Sequence, residues 1–466
     1  MLSLVPGAIL SLLLTTSQAQ TNYQQMLSFG PLPQSGSGPR AQLMEGSDGW
    51  LYGTTYEGGT SNVGTIFKIS KNGSGFSRIY TFTNSDLPYG GLVEASDGTL
   101  CGSTSGGGAN HAGTMFKCSK DGSGFTLLHV FPSGEKDGTY PVCNLIKGNN
   151  GMLYGTTFAG GESNKGTVFG LNPNGSGYTN LHNFTGITGF DGSSPWAGFY
   201  QGLDGALYGT TQTGGSNDFG IVFRINPNGS AYQILHHFRG GTNDASTVYG
   251  SLVQGSDSML YGTSYSGGTN NLGTIFKLNT NGGSYAVLLS FTSGSDGNQP
   301  FGGLVSGSNG VLYGTTRFGG GTNGTVFRVN TNGTGYAVLR RFSNNAGDGD
   351  GRQPLAPLLM GSDGALYGST YFGGGYATNG ALGDGTLFKL SFSQPNLLHI
   401  DSISLMPDRQ IQLQASGIPG HYAVEATTNL VAWAELTNFT TTGTSFQYLD
   451  SKTNLRQRFY RLHQLP

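Results

Sequence analysis

Short apolar segments separated by polar, glycine-rich turns run through most of the chain, and they recur in a fixed order. The clearest segment is Leu51-Tyr52-Gly53-Thr54-Thr55, and its near copies begin at Leu100, Leu153, Leu207, Leu260, Leu312 and Leu366. Successive copies follow at intervals of 49 to 54 residues. A tandem repeat of about 50 residues built of short strands is typical of a β-propeller blade.

Each copy contains four such segments, which we name strands A to D. In the second copy they span residues 88–94, 100–104, 113–118 and 125–131. The turns from A to B and from C to D carry pairs such as Asp97-Gly98 and Asp121-Gly122. These pairs favour tight hairpins because primed turns need positive φ. The pattern therefore predicts four-stranded antiparallel blades.

Two of the connections within a copy are constant in length and two vary. Tyr89 to Leu100 spans 11 residues and Phe67 to Phe82 spans 15, and the other copies keep these values for A–B and C–D. The B–C spans run from 15 to 22 residues and the D–A spans from 7 to 13. In an antiparallel blade the B–C and D–A loops lie at the same end. We name that end the variable face, where binding residues are expected, and the other end the fixed face.

The seventh copy lacks a strand D of its own. It ends after strand C at residues 385–390, whereas Tyr23 to Phe29 has the pattern of a strand D. The N-terminal strand is therefore predicted to complete the last blade, which would leave no open sheet edge. The fold class is all-β, with a propeller of seven four-stranded blades.

The two ends of the chain depart from the repeat. Residues 1–19 hold an apolar run at 9–14 followed by Ser17-Gln18-Ala19, which predicts a secretory signal peptide and hence an exported protein. Residues 20–392 would form the propeller and 393–398 a linker. Six alternating segments in residues 399–466 predict a small β-sandwich of the immunoglobulin or fibronectin type.

Charge narrows the possible partners. The net charge is −2 and charged residues make up only 10% of the chain, so no surface-wide field would attract nucleic acid or anionic lipid. After the first 19 residues, no apolar stretch is long enough to predict a membrane span. No cofactor motif is found, so we expect no cofactor.

Three cysteines occur, and two of them flank the B–C hairpin of the second copy. Cys101 and Cys118 are predicted to face each other there, and in an exported protein a disulfide between them would contribute about 2–4 kcal/mol. The alternative is a pair of buried thiols that act as small apolar residues. Cys143 has no evident partner.

The ordered motifs Leu-Tyr-Gly-Thr-Thr, Gly-Gly, Gly-Thr-Val-Phe, Asn-Gly-Ser-Gly-Tyr and Leu-x-x-Phe resemble the Gloeo/Verruco tandem repeat of bacterial exported proteins. The resemblance covers residues 23–390. Residues 422–430, Trp433 and residues 458–461 are similar to a C-terminal module of secreted proteins from the same bacteria. The Gly-Gly after strand B also resembles Kelch repeats. The resemblance implies an exported, Kelch-like propeller and brings no catalytic residue.

The residue that begins strand A supplies one candidate binding position per copy. These positions are Arg40, Tyr89, Val142, Trp196, Tyr249, Phe301 and Leu355. We predict that they ring the mouth of the central channel on the variable face. Aromatic rings beside amide-rich loops suit sugar faces or apolar side chains. The binding candidates are therefore the aromatic residues Tyr89, Trp196, Tyr249 and Phe301, together with Arg40. The alternative for each is packing between neighbouring blades.

Acidic and histidine residues form weaker candidates. Asp137, Asp191, Asp296 and residues 348–351 lie in Asp-Gly pairs on the D–A loops, which could hold a cation or simply form turns. His129, His182, His236 and His237 fall within strand D and share no metal-ligand spacing with carboxylates. We therefore predict no metal site.

The sequence favours a secreted or cell-surface binding protein without enzymatic activity. It would recognise a glycan or a protein partner through the variable face. One alternative is a polysaccharide-active enzyme, a hydrolase or lyase, that uses carboxylates from non-repeated loop positions. Another is a purely structural component of the cell envelope.

Overall fold

The computed structural model describes residues 21–464 with several gaps. These gaps are residues 31–34, 85, 133–136, 293, 295, 308–309, 320–322, 344–348, 376–382, 393–398, 407–409, 417–419, 428–433, 442–444 and 451–458. The predicted signal peptide, the predicted linker and Asp348 lie outside the described residues. The chain divides into two compact units, one formed by Tyr23–Ser391 and one that includes Phe392–Pro466.

The larger unit contains seven four-stranded antiparallel sheets, as predicted. Strand A spans Met44–Glu45, Val93–Glu94, Ile146–Lys147, Tyr200–Gln201, Val253–Gln254, Val305–Ser306 and Leu359–Met360 in blades 1 to 7. Strand B spans Leu51–Thr55, Leu100–Thr104, Leu153–Thr157, Leu207–Thr210, Leu260–Ser264, Val311–Thr316 and Leu366–Thr370. Strand C spans Thr65–Ile69, Thr114–Cys118, Thr167–Leu171, Ile221–Ile225, Thr274–Leu278, Thr325–Asn330 and Thr386–Phe392. Strand D spans Ser77–Thr81, Thr126–Val130, Thr179–Asn183, Gln233–His237, Ala286–Ser290, Ala337–Arg341 and, for blade 7, Thr21–Ser28.

The repeated glycine of strand B is explained by the repeated phenylalanine of strand C. A Cβ atom at Gly53 would lie 2.5 Å from the Phe67 ring and 2.8 Å from Leu43. Gly53 pairs directly with Phe67 across the two strands, so the ring covers the glycine. Hydrophobic clusters form where adjacent blades meet, as where Tyr208 of blade 4 and Phe276 of blade 5 share one core.

The ring closes as predicted. The N-terminal strand Thr21–Ser28 pairs with strand C of blade 7, and the sheet order there runs from this strand through C and B to A. A repeated hydrogen bond also closes the seam, since Ser369 Oγ donates to the Pro39 carbonyl oxygen at 3.2 Å. Equivalent hydroxyls in strand B of other blades do the same, as Thr54 Oγ1 does to Gly90 O at 3.1 Å. The last seam is therefore bonded like the others.

On the variable face, short two-stranded ribbons join D–A loops to B–C loops. They pair Gly138–Thr139 with Ala159–Gly160, Gly192–Ser193 with Thr213–Gly214, Ala245–Ser246 with Ser266–Gly267, and Gly351–Arg352 with Phe372–Gly373. The 3-10 helix Gly186–Gly189 lies in the D–A loop before blade 4. These ribbons hold the loops that carry the variable residues.

The predicted disulfide between Cys101 and Cys118 is wrong, since all three cysteines are free and buried. In the B–C hairpin Leu100 pairs with Cys118, and Cys101 pairs with Lys117. The prediction placed the two cysteines opposite each other, one residue away from this register. A shift of one residue turns a side chain to the other face of a sheet. The two thiols therefore belong to different hydrophobic clusters, and their Cβ atoms point apart.

The C-terminal unit contains six strands in two three-stranded sheets. One sheet holds His399–Leu405, Ile411–Ser416 and Ser445–Asp450, and the other holds Ala434–Thr441, Gly420–Thr427 and Phe459–Gln464. Leu413 from the first sheet shares a buried cluster with Val424, Ala426 and Tyr460 from the second. The immunoglobulin or fibronectin assignment of this unit stays a prediction.

Candidate functional site

The seven residues predicted to begin strand A lie four positions before the observed strands, and they line one cavity at the mouth of the central channel. We name them the mouth ring, and they are Arg40, Tyr89, Val142, Trp196, Tyr249, Phe301 and Leu355. The cavity has a volume of about 400 Å³, including the part open to solvent. Val142 and Leu355 are buried, whereas the five predicted binding residues are half-buried. The predicted residues therefore lie together at the mouth.

The chain reaches each mouth-ring residue through a left-handed turn. Two residues before the ring position, φ is positive at Gly38, Leu87, Tyr140, Ser194, Thr247, Gln299 and Gln353, with values from 49° to 64°. Six of these seven residues are not glycine, and this conformation costs about 1 kcal/mol or more for a residue with a Cβ. The same strained turn in every blade fixes where the next side chains project.

A second ring of side chains follows strand B, and the sequence reasoning missed it. We name it the loop ring, and it consists of Tyr56, Ser105, Phe158, Gln212, Tyr265, Arg317 and Tyr371. Each member is half-buried. Its backbone N–H donates to the carbonyl oxygen of the left-handed residue, as from Phe158 to Tyr140 at 3.0 Å and from Tyr265 to Thr247 at 3.0 Å. The alignment that revealed the mouth ring could also have revealed this one.

The bond from the loop ring to the left-handed residue recurs in all seven blades. The donor and acceptor pairs are Tyr56 to Gly38, Ser105 to Leu87, Phe158 to Tyr140, Gln212 to Ser194, Tyr265 to Thr247, Arg317 to Gln299 and Tyr371 to Gln353. The distances run from 2.9 to 3.3 Å. This backbone bond positions both the mouth ring and the loop ring. The side chains of the two rings can therefore differ from blade to blade.

Trp196 lies among the other aromatic side chains of the mouth. Its ring meets Tyr89 edge to face at 5.2 Å between centroids, and it meets Phe158 at 5.4 Å and Tyr249 at 5.5 Å in the same way. Tyr249 in turn stacks on Phe301 at 4.5 Å. These contacts hold a large, half-exposed indole in a fixed orientation at the cavity wall.

Arg40 supplies a positive charge at the same wall. Its guanidinium carbon lies 3.7 Å from the centre of the Tyr89 ring, 4.9 Å from that of Tyr56 and 5.2 Å from that of Tyr371. Burial raises the pKa of both the Tyr89 and Tyr371 hydroxyls, and Arg40 only partly opposes that change. Both phenols are therefore neutral at ordinary pH and can donate hydrogen bonds.

Amide side chains also reach the mouth. Gln212 Nε2 donates to the Tyr249 hydroxyl at 3.0 Å, and Arg317 Nε donates to Gln353 Oε1 at 3.2 Å. Asn144 lines the floor of the cavity, and its Oδ1 accepts a bond from Gly91 N at 2.6 Å. The mouth therefore combines aromatic faces with polar groups of fixed orientation. Among its described lining residues, none is a carboxylate or a histidine.

The D–A loop carboxylates lie away from this cavity in bonds between neighbouring blades. Asp137 accepts from His129 Nε2 at 3.2 Å and from the Tyr178 hydroxyl of the next blade. The imidazole stacks on that tyrosine at 3.8 Å. Burial alone would raise the pKa of Asp137, but the hydrogen bonds from His129 and Tyr178 outweigh it and lower the pKa.

This arrangement, which we name the outer clasp, recurs around the ring. The sets are Asp137 with His129 and Tyr178, Asp191 with His182 and Tyr232, and Asp244 with His236 and Tyr285. At the closing seam Asp350 bonds Arg340 at 2.7 Å and the Tyr23 hydroxyl at 3.3 Å. Asp296 instead offers its backbone oxygen to the Tyr336 hydroxyl. The clasps give these aspartates and histidines structural partners.

Within the described residues, no group of three or more histidine, cysteine or acidic residues is placed to hold a metal ion. None of the helices in this part of the chain has the length and apolar character needed to cross a bilayer.

Comparison with known proteins supports the fold. Residues 7–149 and 133–323 match the model of the Gloeobacter/Verrucomicrobia repeat family. No curated protein matches the chain significantly.

Solved structures with similar folds share little sequence with the chain. One is the extracellular domain of a protein assigned as a hybrid two component system from B. thetaiotaomicron, with 12% identity and a TM-score of 0.51. That match covers 92% of this chain and 56% of the other, so this chain spans about half of its length. An oligogalacturonate lyase in complex with manganese has 10% identity and a TM-score of 0.50, over 81% of this chain and 95% of the lyase. The GH74 xyloglucanase from Xanthomonas campestris has 12% identity and a TM-score of 0.50, over 85% and 60%.

Proposed function

We propose that the chain, which belongs to the Gloeobacter/Verrucomicrobia repeat family, is an exported protein that binds a glycan. The sugar would lie in the mouth of the propeller against Trp196 and its aromatic neighbours. One observation carries this proposal. Eight of the fourteen positions in the mouth ring and loop ring are aromatic, and all eight are half-buried rather than packed away.

The chemistry of the mouth suits sugars. The C–H face of a pyranose packs against an aromatic ring, and its hydroxyls need donors and acceptors of fixed orientation. Trp196 supplies such a face, and Gln212, Asn144 and the neutral tyrosine hydroxyls supply the polar groups. The contacts that hold Trp196 reduce the entropy lost on binding, because the indole is already oriented.

The small size of the mouth favours a glycan over a folded protein partner. Its space of about 400 Å³ includes open solvent, so a sugar ring would pack against the aromatic wall and remain partly exposed. A stable protein interface, in contrast, usually buries about 800 Å² on each partner. A protein could still insert a single side chain, and this outcome is distinguished by the binding experiment below.

Catalysis is the second function to test, since an oligogalacturonate lyase and a xyloglucanase share the fold. Hydrolysis of a glycoside needs two carboxyl groups about 5–10 Å apart beside the bond. The described lining of the mouth holds no carboxylate, and Asp137, Asp191 and Asp350 of the D–A loops are bonded in the outer clasps. This supports binding without cleavage.

The test is a binding screen of neutral and acidic polysaccharides with a matched pair of variants. Trp196→Ala should weaken binding by about 1 kcal/mol or more and leave a folded protein, with a loss of stability of about 1 kcal/mol as for other half-buried mouth residues. Trp50→Ala is the control, since Trp50 is also half-buried but lies on the fixed face beside Lys68. It should leave binding unchanged.

Three results would contradict the proposal. Binding of no polysaccharide by the wild-type protein would favour a structural role. Release of new reducing ends or unsaturated sugars from a bound polysaccharide would establish an enzyme. Equal loss of binding in Trp196→Ala and Trp50→Ala would place the ligand away from the mouth.

A further inference from the structure

The guanidinium of Arg40 makes cation–π contacts with aromatic rings and forms no ion pair with an acidic side chain of the described residues. Its guanidinium lies over Tyr89 at 3.7 Å and is flanked by Tyr56 and Tyr371. Among the described residues no carboxylate forms an ion pair with it.

Two other arginines of the propeller form ion pairs with aspartates. Arg340 pairs with Asp350 at 2.7 Å in the closing clasp, and Arg224 pairs with Asp204 at 3.4 Å on the fixed face. A partly buried charge usually requires a partner, because removing an ion from water is costly. Arg317 in the loop ring bonds Gln353 Oε1, whereas Arg40 has only aromatic partners among the described residues, which indicates a polar partner that arrives with the ligand.

The stacking leaves Arg40 suited to an anion. A guanidinium that lies over a ring uses its face for the ring, and its N–H donors project from its edge. These donors match the two oxygens of a carboxylate and also bind sulfate. The tyrosines hold the Arg40 guanidinium in a fixed orientation, so little side-chain entropy remains to be lost when an anion binds.

Tyr89 links Arg40 to the proposed sugar platform. The same Tyr89 ring contacts the guanidinium at 3.7 Å and the Trp196 ring at 5.2 Å. A sugar packed on Trp196 would thus lie one aromatic ring away from the cation. This spacing suits an acidic substituent on the bound sugar or on the next residue of its chain.

We propose that the mouth is selective for acidic glycans, with Arg40 binding the sugar carboxylate or sulfate while Trp196 packs against the sugar ring. This inference rests on the proposed function and adds the ligand class. An acidic peptide could form an ion pair with Arg40, but it would not use the aromatic faces of the mouth, which are the size of a sugar ring. We therefore favour the glycan.

The test compares ligands that differ only in charge. Oligomers of polygalacturonate and their methyl esters are titrated into the protein by calorimetry, with dextran sulfate and dextran oligomers as the second pair. Wild type should bind an acidic member at least about tenfold more tightly than its neutral counterpart, and the preference should shrink as salt is added. Preference in the first pair identifies a carboxylate, and preference in the second a sulfate.

Variants assign the preference to one residue. Arg40→Gln should abolish the preference and retain the weaker affinity for the neutral sugar. Arg224→Gln removes the same charge from the fixed face and should keep the preference. Trp196→Ala should weaken both members of a pair by the same factor.

The results that overturn the inference differ from those that overturn the proposed function. Equal affinity of wild type for both members of both pairs would refute acidic selectivity and keep glycan binding. An unchanged preference in Arg40→Gln would also refute it. Binding of neither pair, together with Arg40-dependent binding of a poly-glutamate peptide, would refute both. The wild-type comparison decides the question even if an Arg40 variant does not fold.

Discussion

The fixed face and the mouth are built from the same repeat, yet they use their polar groups in opposite ways. On the fixed face the strand B tyrosine donates to an aspartate four residues earlier, and this bond recurs from blade to blade. The pairs are Tyr52 with Asp48, Tyr208 with Asp204, Tyr261 with Asp257, and Tyr367 with Asp363. At the mouth the corresponding positions of the seven blades carry different residues, and Arg40 has no acidic partner among the described residues.

Neighbouring blades are also joined on the fixed face. Glu94 of blade 2 accepts from Ser47 of blade 1 through both N and Oγ at 2.7 Å, and it bonds Lys120 at 2.9 Å. Glu45 accepts from Ser362 of blade 7 in the same way. Repetition thus marks the groups that hold the ring together, and variation marks the groups that are available to a ligand.

The largest expected effect is on stability, and it compares a phenylalanine of the core with a phenylalanine of the mouth. Phe29 is fully buried at the closing seam and packs against Phe67 at 5.3 Å and Phe76 at 6.0 Å. Phe29→Ala should cost about 3–5 kcal/mol in the free energy of unfolding. Phe301→Ala, at the half-buried mouth, should cost about 1 kcal/mol. Denaturant titrations measure both, and equal losses would mean that the mouth is part of the core.

A smaller effect is expected in the pH dependence of stability, which tests the aspartate bonds of the fixed face. Burial alone would raise the pKa of Asp363, but hydrogen bonds from Lys389 and Tyr367 outweigh it and lower the pKa to about 2. A lowered pKa stabilises the fold above the unfolded value near 4, and this stability is lost as the pH falls toward 2. Because the Asp363 side chain is 34% exposed, solvent screening limits the effect to about 1 kcal/mol.

Asp363→Asn should therefore be about 1 kcal/mol less stable than wild type at pH 7, and the two proteins should converge between about pH 4 and pH 2. Chemical denaturation at several pH values measures the difference. Trp196→Ala is the control from the mouth, and its difference in stability from wild type should stay constant across this range. A constant gap between Asp363→Asn and wild type at all pH values would show that the carboxylate charge is not what stabilises this turn.

The seven-bladed propeller and the mouth ring could both be predicted from the sequence, because each depends on a fixed spacing of residues within one repeat. Tyr89, Trp196 and Tyr249 share an offset from strand B, so their meeting could be predicted. The loop ring was missed although it too keeps a fixed offset, since each member directly follows the five-residue segment of strand B.

The outer clasps could not be found within one repeat. Asp137 meets Tyr178 from the next blade, and the two residues are 41 positions apart in the chain. Such a bond depends on how blades pack, which the pattern inside a single blade does not specify. The disulfide prediction failed for a related reason, since the midpoint of a hairpin does not fix its register to one residue.

The smallest expected effect concerns blade 2, where Cys101 replaces the tyrosine that bonds the fixed-face aspartate in other blades. Burial raises the pKa of Cys101 to about 11 and that of Cys118 to about 12, so both thiols are protonated and unreactive in the folded protein. Ellman's reagent should detect almost no thiol before denaturation and three after it. A reducing agent should leave the melting temperature unchanged. If denaturation released only one thiol and reductant lowered the melting temperature, a disulfide would exist and the B–C register of this blade would have to slip by one residue. Since such a slip would turn Leu100 and its neighbours out of the core, we expect the substitution to be a packing change within the scaffold.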